Sequence, residues 1–164
     1  MVHLSRWNRN IVSIVCLLAI TVADSCTSTP PQSAEDSTGP CRVKSLTLIN
    51  ADTDLPISGY DPVKDGAEFN IAKLPTRNLN LLANIAPRDC ARHVDFSCAG
   101  SNITSSDATA PFTRFGDSTS FFTGGVDYFG YPMKPDKCAL EITPYGREGA
   151  GATLTLHYEV VDQR

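Results

Sequence analysis

The chain has 164 residues, six cysteines and a net charge of −4, with 18 acidic side chains against 14 basic ones. That balance argues against a nucleic-acid or anionic-membrane surface. The length suits one domain of ordinary size with a real core, not an array of domains.

Arg6 and Arg9 precede an apolar run from Ile11 to Ile20, and small residues follow around Ala23. This is the layout of a secretory signal peptide over residues 1–23. The run is too short for a membrane span and no second run follows, so no span is expected. Ala23 and Asp24 fit a lipoprotein site poorly, so no lipid anchor is expected either. Cys16 leaves with the signal. Cys26, Cys41, Cys90, Cys98 and Cys138 remain, and in an exported chain five cysteines read as disulfides with one thiol left over. Residues 24–40, DSCTSTPPQSAEDSTGP, are rich in Ser, Thr and Pro without apolar periodicity. They read as a disordered leader to a domain over residues 41–164.

Arg42 to Asn50 reads as the first strand, with Leu46 and Leu48 on one face. Asp52, Asp54, Pro56 and Gly59 break it, and Asp61-Pro62 and Asp65-Gly66 are turn signals. Phe69 and Ile71 mark a brief edge strand. Leu79, Leu81, Ala83 and Ile85 alternate with Asn78, Asn80 and Asn84; Val94, Phe96 and Cys98 alternate with His93, Asp95 and Ser97. Residues 100–136 read as loops and short strands. Lys137 to Val161 closes the chain as a hairpin with a Gly-rich turn: Cys138, Leu140 and Ile142 face one way in its first strand, Leu154, Leu156, Tyr158 and Val160 in its second. Such alternation marks half-buried antiparallel strands. About seven strands and no helical period predict an all-β chain, an immunoglobulin-like two-sheet antiparallel sandwich, with a jelly roll as the alternative. The Cys…Trp…Cys pattern of antibody domains is missing, since Trp7 lies in the signal.

The segments VKSLTLINADTDLPI (43–57), IAKLPTRNLNLLANI (71–85), APFTRFGD (110–117) and ITPYGREGAGATLTLHYEV (142–160) resemble a small extracellular β-sandwich module. Modules of this kind stand beside carbohydrate-binding or adhesion domains in secreted and cell-surface proteins. The INADTD and LPTRNLN pieces carry most of the resemblance, which covers residues 43–161 and implies fold and location more than activity.

No catalytic set is visible. His93 and His157 sit at outward strand positions without metal-ligand spacing, and neither a nucleophile elbow nor a phosphate-cradling loop occurs. Asp117 with Asp127 or Glu141 is the only carboxylate pairing to nominate for glycosidase work. Asn50, Asp52 and Asp54 are spaced i, i+2, i+4, which could bind Ca²⁺ through oxygen ligands; the competing reading makes them turn residues accepting local hydrogen bonds. No other cofactor is suggested. Seven of the twelve Phe and Tyr residues fall between Phe112 and Tyr131. Phe112 and Phe115 read as core. Phe121, Phe122, Tyr128, Phe129 and Tyr131 are candidates for a contact surface, with Arg114 and Asp117 supplying polar contacts at its edge. Asn102-Ile103-Thr104 is an N-glycosylation acceptor in a water-facing loop.

An extended chain rises roughly 3.3 Å per residue, which puts Cys90 and Cys98 up to about 26 Å apart. A disulfide needs Cα atoms within about 7 Å. In a sandwich the strand ending at Cys98 runs antiparallel to the strand beginning at Cys138, with both cysteines in the apolar phase. Cys41 and Cys90 fall at one end of the same sandwich. The expected pairs are therefore Cys98–Cys138 and Cys41–Cys90, against a competitor that joins Cys26 to Cys41 and frees Cys90. An unpaired Cys26 would allow a disulfide-linked dimer. The function expected is that of a secreted, non-enzymatic binding or adhesion module for a glycan or an extracellular protein. The alternatives are a disulfide-stabilised wall or matrix component without a specific ligand and, more distantly, an extracellular hydrolase.

Overall fold

Apolar–polar alternation along the C-terminal hairpin is what builds the larger of two packed sheets. The computed structural model describes residues 39–100, 102–119 and 124–164. The described residues all belong to one compact unit. Its strands are β1 (Arg42–Asn50), β2 (Leu55–Pro56), β3 (Ala67–Asn70), β4 (Asn78–Ala86), β5 (His93–Cys98), β6 (Thr104–Asp107), β7 (Asp117–Thr119), β8 (Val126–Tyr128), β9 (Tyr131–Pro132), β10 (Asp136–Gly146), β11 (Gly149–Ala150) and β12 (Leu154–Val161).

One sheet has the order β2-β1-β4-β9 and the other β3-β12-β10-β5-β6, with β11 added to β10 and β7–β8 standing apart as a hairpin. Every pairing between these strands is antiparallel except β3 with β12. Leu140 lies opposite Leu156 on one side and Cys98 on the other, and Ile142 lies opposite Leu154 and Phe96. These inward positions meet Leu46 and Leu48 of β1 and Leu79 and Leu81 of β4 in one hydrophobic core. The fold is an all-β, two-layer sandwich. Phe69, Phe96, Leu46 and Leu81 are essentially without solvent exposure, and each such side chain contributes about 1.5–3 kcal/mol relative to an exposed one. The reading of about seven strands stops short of the observed set. β2, β7, β8, β9 and β11 are only two or three residues long, too short for alternation to show.

The disulfides are the expected ones. Cys98 and Cys138 have Cα atoms 5.5 Å apart, as do Cys41 and Cys90. Cys98 faces Leu140 across the β5–β10 ladder, so Cys138, two residues along, presents its side chain on the same face at diagonal reach. The first bond therefore lies within a sheet, and the second ties the start of β1 to the approach to β5. Cys26, the leader and the signal segment lie outside the described residues.

Replacing either cysteine pair by alanines is expected to lower stability by about 2–4 kcal/mol in denaturant unfolding. Peptide mapping without reductant should recover Cys41 linked to Cys90 and Cys98 linked to Cys138; a Cys26–Cys41 peptide would refute the assignment.

Candidate functional site

The edge of β4 turned away from β1 changes partner halfway along. Its first residues pair with β9, Asn78 opposite Pro132 and Leu79 opposite Tyr131. Further on it pairs with residues 112–114: the Ala83 N–H donates to the Phe112 carbonyl at 2.8 Å and the Arg114 N–H to the Leu81 carbonyl at 3.0 Å. Asn80 sits at the changeover and is completely buried. Its Nδ2 donates to the Gly116 carbonyl at 3.0 Å and the Phe129 carbonyl at 2.9 Å. Its Oδ1 accepts from the N–H of Leu81 at 2.8 Å and of Phe115 at 3.1 Å. A side-chain amide has two donors and two acceptor sites, and all four are used. The sequence pattern groups Asn80 with Asn78 and Asn84 on the polar phase of its strand, but Phe115, Gly116 and Phe129 bond to it from outside the strand and it is buried. Approach at this seam is close at Gly130 too, where an added Cβ would lie 1.8 Å from Asn78 Oδ1 and displace that side chain.

Held in this way, residues 114–115 and 131–133 wall a cleft of about 500 Å³. Phe115, Tyr131 and Met133 line it with Tyr158, Val160 and the Cys98–Cys138 bridge, and Ile103, Lys134 and Asp136 contribute to its lining. Arg114 also lines it and is only 6% exposed. Its guanidinium donates to the Tyr158 hydroxyl and, at 3.6 Å, to the Cys98 sulfur, and it lies 5.2 Å from the centroid of the Phe115 ring. The Phe115 ring stacks in turn on Tyr131, centroids 5.1 Å apart and planes 27° from parallel. Burial pushes the Tyr158 phenol up and the Asp136 charge adds to this, while the Arg114 guanidinium and its hydrogen bond offset part of the rise.

The aromatic segment divides. Phe112 is buried as expected, and Phe115 packs only partly against the core. Phe129 and Tyr131 are each 52% exposed. Tyr128 is half-buried opposite Asp117 in the β7–β8 hairpin. Phe121 and Phe122 lie outside the described residues. Arg114 departs from its expected place: it is a buried wall of the cleft and not a group on an exposed edge. Met133, Tyr158 and Asn80 were missed, because nothing in their local sequence distinguishes them from ordinary strand residues.

The remaining candidates hold local bonds. Asn50 Oδ1 accepts the Asp52 N–H at 2.9 Å, an Asx turn. The Asp52 carboxylate accepts from the Thr76 hydroxyl and from Asn78 Nδ2 at 2.8 Å, which together lower its pKa from the ordinary value. Asp54 Oδ1 accepts the Tyr128 N–H at 2.9 Å. Among the described residues no group of three or more His, Cys, Asp or Glu side chains is placed to hold a metal. His157 pairs with Asp65 at 3.0 Å and His93 stacks on Tyr145 at 4.4 Å. Asn102 is exposed. Burial, then the Asp107 charge, pushes Asp117 up to about 6. Its Oδ2 is buried without a hydrogen-bond partner. No helix among the described residues is long and apolar enough to cross a membrane.

Asn80→Ala is expected to cost about 2–4 kcal/mol, because it strands two carbonyls and two N–H groups; a loss under about 1 kcal/mol would show that the amide does not hold the seam. For Asp117 the sign follows from its raised pKa. Below the ordinary value of 3.8 the carboxyl is protonated folded and unfolded alike; between there and about 6 only the folded state keeps the proton. Stability therefore falls as pH rises through that window, and the deficit persists above it. Asp117→Asn should gain melting temperature over the natural protein at pH 7 and lose most of that gain by roughly pH 4. A gain that does not change with pH would contradict the assignment.

No family model matches the chain, and neither a curated protein nor a solved structure matches it.

Proposed function

We propose that the protein is a secreted, non-enzymatic binding module whose contact surface is the aromatic-rimmed cleft, with a glycan as its partner. The observation that carries this reading is the placing of Tyr131. It is half exposed, yet fixed on one side by its stack on Phe115 and on the other by its pairing with Leu79. An aromatic face held rigid in water offers stacking area at little further ordering cost, which suits the C–H face of a sugar ring. Phe129, equally exposed, extends the apolar surface. Two intramolecular disulfides support an oxidising, extracellular setting. The order β12-β10-β5-β6 supports an immunoglobulin-like topology, in line with the resemblance of the LINADTD and LPTRNLN segments. Exposure of Asn102 supports its use as a glycosylation acceptor, and a dimer through Cys26 belongs to the same extracellular reading.

A structural component without a ligand is favoured by one observation, the bracing of both ends of the β5–β10 pair by disulfides. Screening the intact chain against immobilised glycans separates the two. Tyr131→Ala and Phe129→Ala should each weaken capture on the order of tenfold or more, the loss of a well-placed aromatic contact, with melting temperature preserved. Capture that is undiminished in both variants, or absent from the natural protein, would remove the binding reading.

A further inference from the structure

We infer that the sugar taken by the cleft carries a carboxylate, and that Arg114 receives it. This rests on the glycan reading and names the chemical class of the ligand. Arginine is almost never fully buried without a charged partner, because removing its charge from water is costly. Arg114 is 6% exposed, and its partners in the described fold are all neutral: the Tyr158 hydroxyl, the Cys98 sulfur and the Phe115 ring. It makes no ion pair with any described residue. Three neutral contacts hold the guanidinium in place against the wall of a cleft, without an ion pair to any described residue. A guanidinium carries five N–H donors in a planar fork that matches a carboxylate.

The other groups around the cleft narrow the class. Lys134 is exposed, forms no ion pair within the described residues and lines the same cleft, which adds a second cation to its lining. Asp136 also lines the cleft. Its carboxylate would repel a second anionic group and can accept hydroxyl protons. Phe115, Tyr131 and Met133 supply the apolar wall. One carboxylate, several hydroxyls and a C–H face are the features of a uronic or sialic acid unit. A cleft of about 500 Å³ is within the size range of small-molecule sites. The chain as a whole is acidic, at −4, so attraction would be confined to this cleft and would not steer ligands from a distance.

Titration calorimetry on the intact chain tests this with galacturonate, glucuronate and sialylated oligosaccharides, each beside its carboxyl-reduced counterpart. At least one acidic member should bind about tenfold or more tighter than its reduced form, a difference typical of a charge-assisted pair. Arg114→Lys should shrink that ratio severalfold by losing the fork, and Lys134→Ala should shrink it less and leave the melting temperature unchanged. Equal binding of every acidic and reduced pair would overturn this inference while leaving the glycan reading intact, whereas no binding by any sugar would overturn both. The acid-against-neutral comparison is made in the natural protein, so it decides the matter even if Arg114→Lys fails to fold.

Discussion

A single buried amide carries the joint on which the candidate site depends. The ladder on the outer edge of β4 is broken where its partner changes from β9 to residues 112–114, and a broken ladder leaves backbone groups unmatched. Asn80 repairs the break from within the strand by bonding Gly116, Phe129, Leu81 and Phe115 at once. In a setting of low polarisability such bonds are strong and their absence is costly. A leucine of similar size would fill the space and satisfy none of the four groups. Phe115, Gly116 and Phe129 are thus tied to the sandwich through one side chain, and the exposed rings are presented by a seam with little slack.

The second constraint is covalent. Cys98–Cys138 and Cys41–Cys90 act near opposite ends of the β5–β10 pair, which occupies the middle of the larger sheet. Neither bond joins the central strands of facing sheets, as the immunoglobulin disulfide does; the layers are held together across their middle by Leu46, Leu48, Phe96 and Leu140 instead. One sulfur has a further part, since Cys98 accepts a hydrogen bond from Arg114. The disulfide is therefore both a brace and a piece of the cleft wall.

Much of the scaffold was legible because burial on one face leaves a period of two in the sequence. β1, β4, β5, β10 and β12 all carry it, and the cysteine pairing followed from strand phase and end. What could not be read was anything set by tertiary cover. Asn80 has the local look of a solvent-facing residue, and its burial depends on Phe115, Gly116 and Phe129 from outside its strand. Arg114 stands among Thr113, Phe115 and Gly116, a context that fits an exposed loop equally well, and its burial depends on Tyr158 and Cys98 from other strands. The two- and three-residue strands exist only as pairings and leave no pattern of their own. The aromatic run was a partial guide: it located the region but could not divide Phe112, which fills the core, from Tyr131, which does not.

The parallel pairing of β3 with β12 has a consequence for the order of assembly. Ala67 to Asn70 find their partners at Tyr158 to Val161, and the Asn70 side chain binds the backbone of Gln163, 93 residues away. A chain made from its N-terminus can pair β1 with β4 early, but it must carry β3 unpaired until Tyr158 to Val161 have emerged. Contacts that close over such distances along the chain are slow to form, and an open edge is a template for the wrong neighbour. The polar Glu68 and Asn70, alternating with Ala67 and Phe69, leave that waiting segment poor in continuous apolar surface. One margin of the larger sheet is thus built from two pieces of chain that lie far apart in sequence.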